Sequence, residues 1–182
     1  MIKKIITYPN PILRKKAATV TEFGEELQTL IEDMTQTMFD APGAGLAANQ
    51  IGVSKRVCVI NVSEKKDDED RKALALINPV ISEEDGAEIG EEGCLSVIGY
   101  TADVKRFTKI KVTAHNVAGK LVEFEAEDFF ARVIQHETDH LEGKLFIDRI
   151  SSLKRLLYKK KLKKILQEKE AETDSEQTSS QS

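Results

Sequence analysis

The sequence predicts an α+β fold, and three observations support this prediction. The chain has 182 residues, enough for one domain with a hydrophobic core and too few for two. Hydrophobic residues make up 40% and charged residues 32%, an ordinary globular composition. Strand-like segments lie between helical patterns near the beginning, middle and end of the chain, as in α+β domains. The net charge of -4 argues against nucleic acid as the main ligand.

Apolar periodicity and capping residues predict four helices. The strongest helix has one apolar stripe, which we interpret as core rather than as a cofactor contact, formed by Leu27, Leu30, Ile31, Met34 and Met38. Asn10 and Asp128 are expected N-caps, and Gly143 is an expected stop. The predicted helices span residues 10–17, 25–40, 128–142 and a last segment from Ser151 or Ser152 to about Gln167.

β-Branched runs and alternating patterns predict the strands. The predicted strands span residues 55–62, 73–81, 87–97, 108–116 and 121–126. A helix breaker and tight loop are expected at 41–45 and a turn at 118–119. The charged segment 63–72 is interpreted as a solvated loop.

Composition also limits the cellular setting. No run of about 18 apolar residues occurs, so no transmembrane helix is expected. The first residues do not form the pattern of a signal peptide. The two cysteines, Cys58 and Cys94, are therefore expected to be free thiols in a reducing cytoplasm. Cys58 lies between two valines and is interpreted as a core residue.

The segment HETDH, residues 136–140, has the pattern HExxH on a predicted helix. His136 and His140 are about one turn apart, so both imidazoles can reach one metal ion. Glu137 can act as a base towards a water at that ion. The alternative is a surface helix that happens to carry polar residues.

A catalytic metal site needs a third protein ligand. The extended metzincin pattern fails because Phe146 stands where a histidine is required. Glu168 lies in a charged tail, and His115 is more typical of a structural strand residue. Cys94 is the better candidate because a thiolate binds borderline cations strongly, although an inert buried cysteine stays open as an alternative.

Three segments together resemble the motifs of peptide deformylases. They are GAGLAANQ at 43–50, EGCLS at 92–96 and QHETDHLEG at 135–143. The resemblance implies one compact catalytic domain over 1–166, with small antiparallel or mixed sheets around the HExxH helix and a C-terminal helix. The polar residues 167–182 are expected to be a disordered tail.

The resemblance also implies a chemistry. Deformylases hydrolyse the N-formyl group of formyl-methionine at the start of nascent polypeptides and release formate. One divalent ion would lie between Cys94, His136 and His140. In such enzymes it is usually Fe²⁺, and Zn²⁺, Ni²⁺ or Co²⁺ can take its place.

Three residues are expected to act in catalysis. Glu137 would accept a proton from the attacking water and pass it to the leaving amine. By resemblance, the Gln50 side-chain amide and the Leu95 backbone N–H would stabilise the developing oxyanion. The alternative for Gln50 is an ordinary loop hydrogen bond.

Four further residues are expected to contact the substrate. Gly43 and Gly45 permit the close backbone approach that an extended peptide needs. Val133 and Ile134 are candidate walls of an apolar methionine pocket, with core packing as the alternative for both. 

Two details complete the expected site. Asp139 is predicted to support it from outside the ligand set, paired with Arg106. Ile98 stands where many members of the family have proline, so the chain near the substrate edge is expected to differ in detail.

The last predicted helix combines cations with apolar residues. Its cations are Lys154, Arg155, Lys159, Lys160, Lys161, Lys163 and Lys164. Its expected apolar stripe is Leu153, Leu156, Leu157, Leu162 and Ile165. This pattern indicates either a helix docked on the core with a solvated basic face or a contact with ribosomal RNA phosphates.

Two other functions stay open from the residues alone. An HExxH metallopeptidase would cleave internal peptide bonds and would need a third ligand other than Cys94. A catalytically dead, ribosome-associated metal-binding module would not need Glu137. Neither alternative accounts for all three motifs.

Overall fold

The computed structural model describes residues 1–63 and 71–179, with side chains as far as Glu168. The helices are α1 Glu25–Asp40, α2 Asp128–Leu141 and α3 Ser152–Ser179. The strands are β1 Gly45–Ala47, β2 Val57–Asn61, β3 Ala73–Asp85, β4 Glu88–Cys94, β5 Val97–Arg106, β6 Lys109–His115 and β7 Leu121–Glu127. Short 3-10 turns occupy Pro11–Arg14, Ala48–Ile51 and Phe146–Asp148. The α+β prediction is confirmed.

The strands form a five-stranded antiparallel sheet and a separate hairpin. The order in the larger sheet is β1-β2-β3-β6-β7, and β4 pairs only with β5. Helix α2 packs on one face of the sheet, where Ile110 and Val112 contact the cluster that includes Ile134. Helix α1 covers the other face through the cluster that includes Val57 and Val59. Alternate side chains of β2 and β3 therefore serve two separate cores.

A third core joins the hairpin to the C-terminal helix. Val97 and Val104 of β5 pack with Phe146, and Tyr158 and Leu162 of α3 complete this cluster. The predicted apolar stripe of α3 is therefore wrong in part. Leu153, Leu156 and Leu157 are 65%, 51% and 56% exposed.

The ends of α2 follow from its neighbours. Asp128 is the first helical residue and Glu127 the N-cap, one residue earlier than predicted, because the Asp128 N–H donates to Thr108 O at 2.7 Å. Gly143 ends the helix as predicted, with φ +72°. A Cβ atom at Gly143 would lie 2.4 Å from the carbonyl oxygen of Arg14, so glycine is required there.

Other boundaries differ from the predictions. The segment predicted as one strand over 87–97 is the first arm of the β4–β5 hairpin, and β1 lies in the expected glycine loop. The predicted helix over 10–17 is only a 3-10 turn, although the Asn10 side chain caps it as expected. Helix α3 continues past the predicted end to Ser179, so most of the expected disordered tail is helical. Most of the predicted charged loop, residues 64–70, lies outside the described residues.

Among the described residues, no helix is both long enough and apolar enough to cross a membrane.

Candidate metal centre and active site

Cys94, His136 and His140 converge on one point. Each offers a ligand atom, and these atoms all lie within 4.8 Å of one another. The Cys94 Sγ is 3.2 Å from the His140 Nε2. Cys94 ends strand β4, whereas both histidines project from one face of α2. The predicted ligand set is therefore brought together by docking the hairpin against the helix.

Glu92 orients the first histidine. Its carboxylate lies 2.9 Å from His136 Nδ1, so the Nδ1 carries the shared proton and leaves Nε2 for a metal. Arg106 donates two hydrogen bonds to Glu92, at 2.8 and 2.9 Å, and Arg132 donates a third at 3.0 Å. Burial raises the pKa of Glu92, but the hydrogen bonds from Arg106 and His136 outweigh it and lower the pKa to about 2.

Asp139 completes this network on the far side of α2. Arg106 Nη1 donates to Asp139 Oδ2 at 2.6 Å, which confirms the predicted pairing. Arg149, which was not predicted, also donates to Asp139. Arg106 thus joins Asp139 on the helix to Glu92 on the hairpin, and Glu92 contacts the metal ligand His136.

Glu137 lies beside the converging ligands with a free carboxylate oxygen. Its side chain is only 3% exposed, and its Oε2 has no hydrogen-bond partner among the described residues. Burial is the main cause that raises its pKa to about 7. A Cβ atom at Gly45 would lie 2.6 Å from Glu137 Oε1. Glycine at this position therefore makes room for Glu137 and not only for a peptide.

The loop after β1 places two amide side chains. Gln50 Nε2 donates to Ser96 Oγ at 3.1 Å and lies 3.6 Å from Cys94 Sγ. Gln50 Oε1 accepts from Ala47 N at 2.8 Å, which fixes the orientation of the amide with its N–H groups towards Cys94. Asn49 Nδ2 donates to His140 O at 2.6 Å and ties the loop to α2.

A cleft of about 580 Å³ opens over these groups. Its lining includes the predicted Gly43, Gly45, Gln50, Leu95, Val133 and Glu137. Ile134 does not line the cleft; it is fully buried against the sheet, so its assignment as a pocket wall is wrong. Phe129, 68% exposed at the first turn of α2, lines the cleft and was missed.

Residues of the hairpin also line the cleft without having been predicted. Gly99, Tyr100 and Thr101 form part of its wall. Arg132 also lines the cleft, and its guanidinium would be 3.0 Å from a Cβ on Gly90. The alternation of side chains along β5 could have predicted which face Thr101 lies on. That this face lines the cleft follows only from the pairing of β5 with β4.

Comparison with known proteins explains this arrangement. Residues 2–156 match the family model described as polypeptide deformylase. The chain belongs to the polypeptide deformylase family. A peptide deformylase of Desulfotalea psychrophila is 50% identical over 163 residues, covering 90% of this chain and 96% of the relative.

Solved structures of deformylases agree with the fold. The crystal structure of a Legionella pneumophila peptide deformylase has a TM-score of 0.85 and 44% identity, covering 93% of this chain and 98% of that one. A class I type b deformylase from Acinetobacter baumannii, solved with Met-Ala-Ser bound, has a TM-score of 0.76 and 34% identity, covering 82% and 99% of the two chains.

Family membership establishes the activity. The chain is a deformylase, an amide hydrolase that removes the N-formyl group from formyl-methionine at the start of nascent polypeptides. The peptidase and dead-module alternatives are not favoured. One thiolate and two imidazoles form a donor set that suits a borderline divalent cation. The free carboxylate oxygen of Glu137 lies beside these three donors.

Proposed function

We propose that Cys94, His136 and His140 hold the catalytic metal and that Glu137 is the base of the deformylation reaction. The observation that carries this proposal is the convergence of three ligand atoms beside a buried carboxylate with a free oxygen. A divalent ion at this point would supply Lewis-acid chemistry and lower the pKa of a water it binds.

Glu137 moves the proton in this proposal. Its Oε2 accepts a proton from the water that attacks the formyl carbon. The same oxygen then delivers that proton to the amine of methionine as formate leaves. Gly45 leaves the space in which the Glu137 side chain lies, so its position is set before substrate arrives.

Gln50 and Leu95 are the proposed donors to the oxyanion. The Gln50 amide nitrogen donates to Ser96 Oγ at 3.1 Å and to Cys94 Sγ at 3.6 Å. In the proposal, the N–H on the Cys94 side turns to the oxyanion. Leu95 follows the ligand Cys94 directly and lines the cleft. Its backbone N–H is assigned by resemblance to the family. One such donor typically contributes about 3 to 4 kcal/mol to transition-state stabilisation.

The proposed peptide path runs beside β1. β1 pairs with β2 on one side only, so its other edge is free within the described sheet to pair with an extended peptide. Gly43 and Gly45 lie along this path. Val133, Leu95 and Phe129 offer apolar surface for the methionine side chain. Met-Ala-Ser bound to the Acinetobacter relative is a peptide of the kind this path would accept.

Formate release from formyl-Met-Ala-Ser tests the residue assignments. Glu137→Gln should lower kcat by about 10² to 10⁴, the contribution expected of a general base, while retaining bound metal. Glu88→Gln makes the same change at an exposed position of β4 and should behave like the wild type. A Glu137→Gln variant with nearly full activity would exclude Glu137 as the base.

Two finer assignments also belong to the proposal. We assign Fe²⁺ as the native ion, by resemblance to the family. Anaerobic loading of the metal-free protein with Fe²⁺, Zn²⁺, Ni²⁺ or Co²⁺ should give high activity with Fe²⁺, and higher activity with Zn²⁺ would contradict the assignment. A cytoplasmic location is proposed because Cys58 and Cys94 are both free thiols.

A ribosome contact through α3 is the second proposal. The helix exposes lysines together with three leucines, and this combination suits RNA phosphates beside an apolar protein surface. Changing Lys159 and Lys163 to glutamine should weaken co-sedimentation with ribosomes and reduce its dependence on salt. Lys144→Gln, at an exposed position outside α3, is the matched control. Binding that ignores salt and these changes would refute the proposal.

A further inference from the structure

The cleft wall contains a bulge that is not held by strand pairing. β4 and β5 are in register from Glu88↔Arg106 to Gly93↔Thr101, and the next pair is Cys94↔Val97. Residues 98–100 therefore have no partner in β4. Gly99 adopts φ +61° within this bulge, and it lines the cleft with Tyr100.

Helix α3 supports the bulge from behind. Lys161 Nζ donates to Gly99 O at 2.9 Å. The ring of Tyr158 lies 4.6 Å from the ring of Tyr100, centroid to centroid. Ile165 Cδ1 would lie 3.8 Å from a Cβ at Gly99. These contacts join consecutive turns of α3 to the part of the wall that β4 leaves unpaired.

Tyr158 acts here through its ring rather than its hydroxyl. The residue is 1% exposed, and its hydroxyl has no hydrogen-bond partner among the described residues. The ring of Tyr100 also stacks at 6.1 Å on Phe146, which in turn lies 6.2 Å from His136. Tyr100 is thus fixed between α3 and the residues next to the metal site.

We propose that Tyr158 and Lys161 are positioning residues that hold the cleft wall at Gly99 and Tyr100 in its peptide-binding position. The inference rests on the proposed function and assigns α3 a role beyond ribosome contact. His136, His140 and Glu137 lie on α2 and Cys94 lies on β4, whereas Lys161 contacts β5 at Gly99. Loss of the support should therefore weaken peptide binding and leave the chemical step intact.

Steady-state kinetics with formyl-Met-Ala-Ser separate these effects, because no ribosome is present. Lys161→Met should raise KM about fivefold and leave kcat within a factor of two. Lys160→Met is the matched control: Lys160 is exposed on the same helix and makes no hydrogen bond or ion pair within the described residues. Tyr158→Leu should raise KM further, and Tyr158→Phe should restore the wild-type value.

A second readout does not depend on turnover. Binding of the product Met-Ala-Ser to metal-loaded protein, measured by calorimetry, should weaken about fivefold in Lys161→Met and not in Lys160→Met. Equal KM and product affinity in these two variants would overturn the inference, even if Tyr158→Leu failed to fold. Failure of the proposed function would instead appear as absent formate release by the wild type, with product binding still measurable.

Discussion

Gly45→Ala should disable the enzyme by displacing Glu137. The new Cβ would lie 2.6 Å from Glu137 Oε1, 2.8 Å from its Cγ and 2.9 Å from its Cδ, whereas ordinary contact begins at 3.4 Å. The carboxylate must therefore retreat by roughly 0.8 Å, the difference between 3.4 and 2.6 Å. Because three atoms are too close, rotation of the carboxylate alone does not relieve the clash.

The magnitude follows from the geometry of catalysis. A misplacement of about 1 Å can cost about 10²-fold in rate, so we expect kcat to fall about 10- to 100-fold. This corresponds to about 1.4 to 2.7 kcal/mol in the activation free energy. Metal content should stay near one ion per chain, because Cys94, His136 and His140 are not touched.

The assay is formate release at saturating formyl-Met-Ala-Ser, with metal content measured on the same samples. Gly24→Ala is the control, since a Cβ there meets nothing within 4 Å. If Gly45→Ala kept kcat within threefold of the wild type at equal metal content, the position of Glu137 would not control the rate. That result would refute the assigned role of Gly45.

Three further changes test other parts of the structure. Arg106→Met leaves the buried Glu92 without its main partner and should lower the free energy of unfolding, measured in urea, by about 3 to 5 kcal/mol. The same change should lower metal affinity about 10- to 100-fold, measured by competition with a chelator. Asp148→Asn should lower stability at pH 7. Burial raises the pKa of Asp148, but the hydrogen bonds that it accepts, chiefly from Arg14, outweigh burial and lower the pKa. The stability difference between Asp148→Asn and the wild type should therefore disappear as the pH falls below the usual aspartate range. A stability difference that stays constant down to pH 2 would contradict this. Gly143→Ala should lower the free energy of unfolding by at least about 1 to 2 kcal/mol, the cost of a left-handed residue. Thermal melts should therefore show a lower Tm, and an unchanged Tm would show that the turn rearranges freely.

Local patterns predicted what lies on one element. Apolar periodicity and capping residues predicted helices α1 and α2, and the four-residue spacing of His136 and His140 predicted that both lie on one face of α2. Cys94 was favoured as a ligand by the chemistry of its thiolate and by resemblance, whereas its approach to α2 depends on how the β4–β5 hairpin docks. The hairpin itself was missed because only its first arm was predicted, as a strand over 87–97, and no strand was predicted over 98–107, where most of β5 lies.

The error at Ile134 has a simple physical cause. Successive helical residues are about 100° apart, so Val133 and Ile134 point in different directions, although both contribute to the core between α2 and the sheet. Val133 lies three residues before His136, so it lines the cleft as well as packing at the edge of this core. Ile134 instead shares the sheet-facing side of α2 with Ala131 and Leu141. Helical periodicity alone could have separated the two residues.

The same geometry explains why the family motif extends beyond the two histidines and the glutamate. The third face of α2 points away from both the cleft and the sheet. On it, Gln135 accepts from Phe107 N at 3.0 Å and donates to Phe107 O at 2.9 Å, while Asp139 holds Arg106. Both contacts tie the helix to the end of β5, the strand paired with the one that carries Cys94. This third face, through Gln135 and Asp139, therefore fixes the hairpin together with the contacts that Arg132 and His136 make with Glu92, and Cys94 meets the two histidines in one geometry.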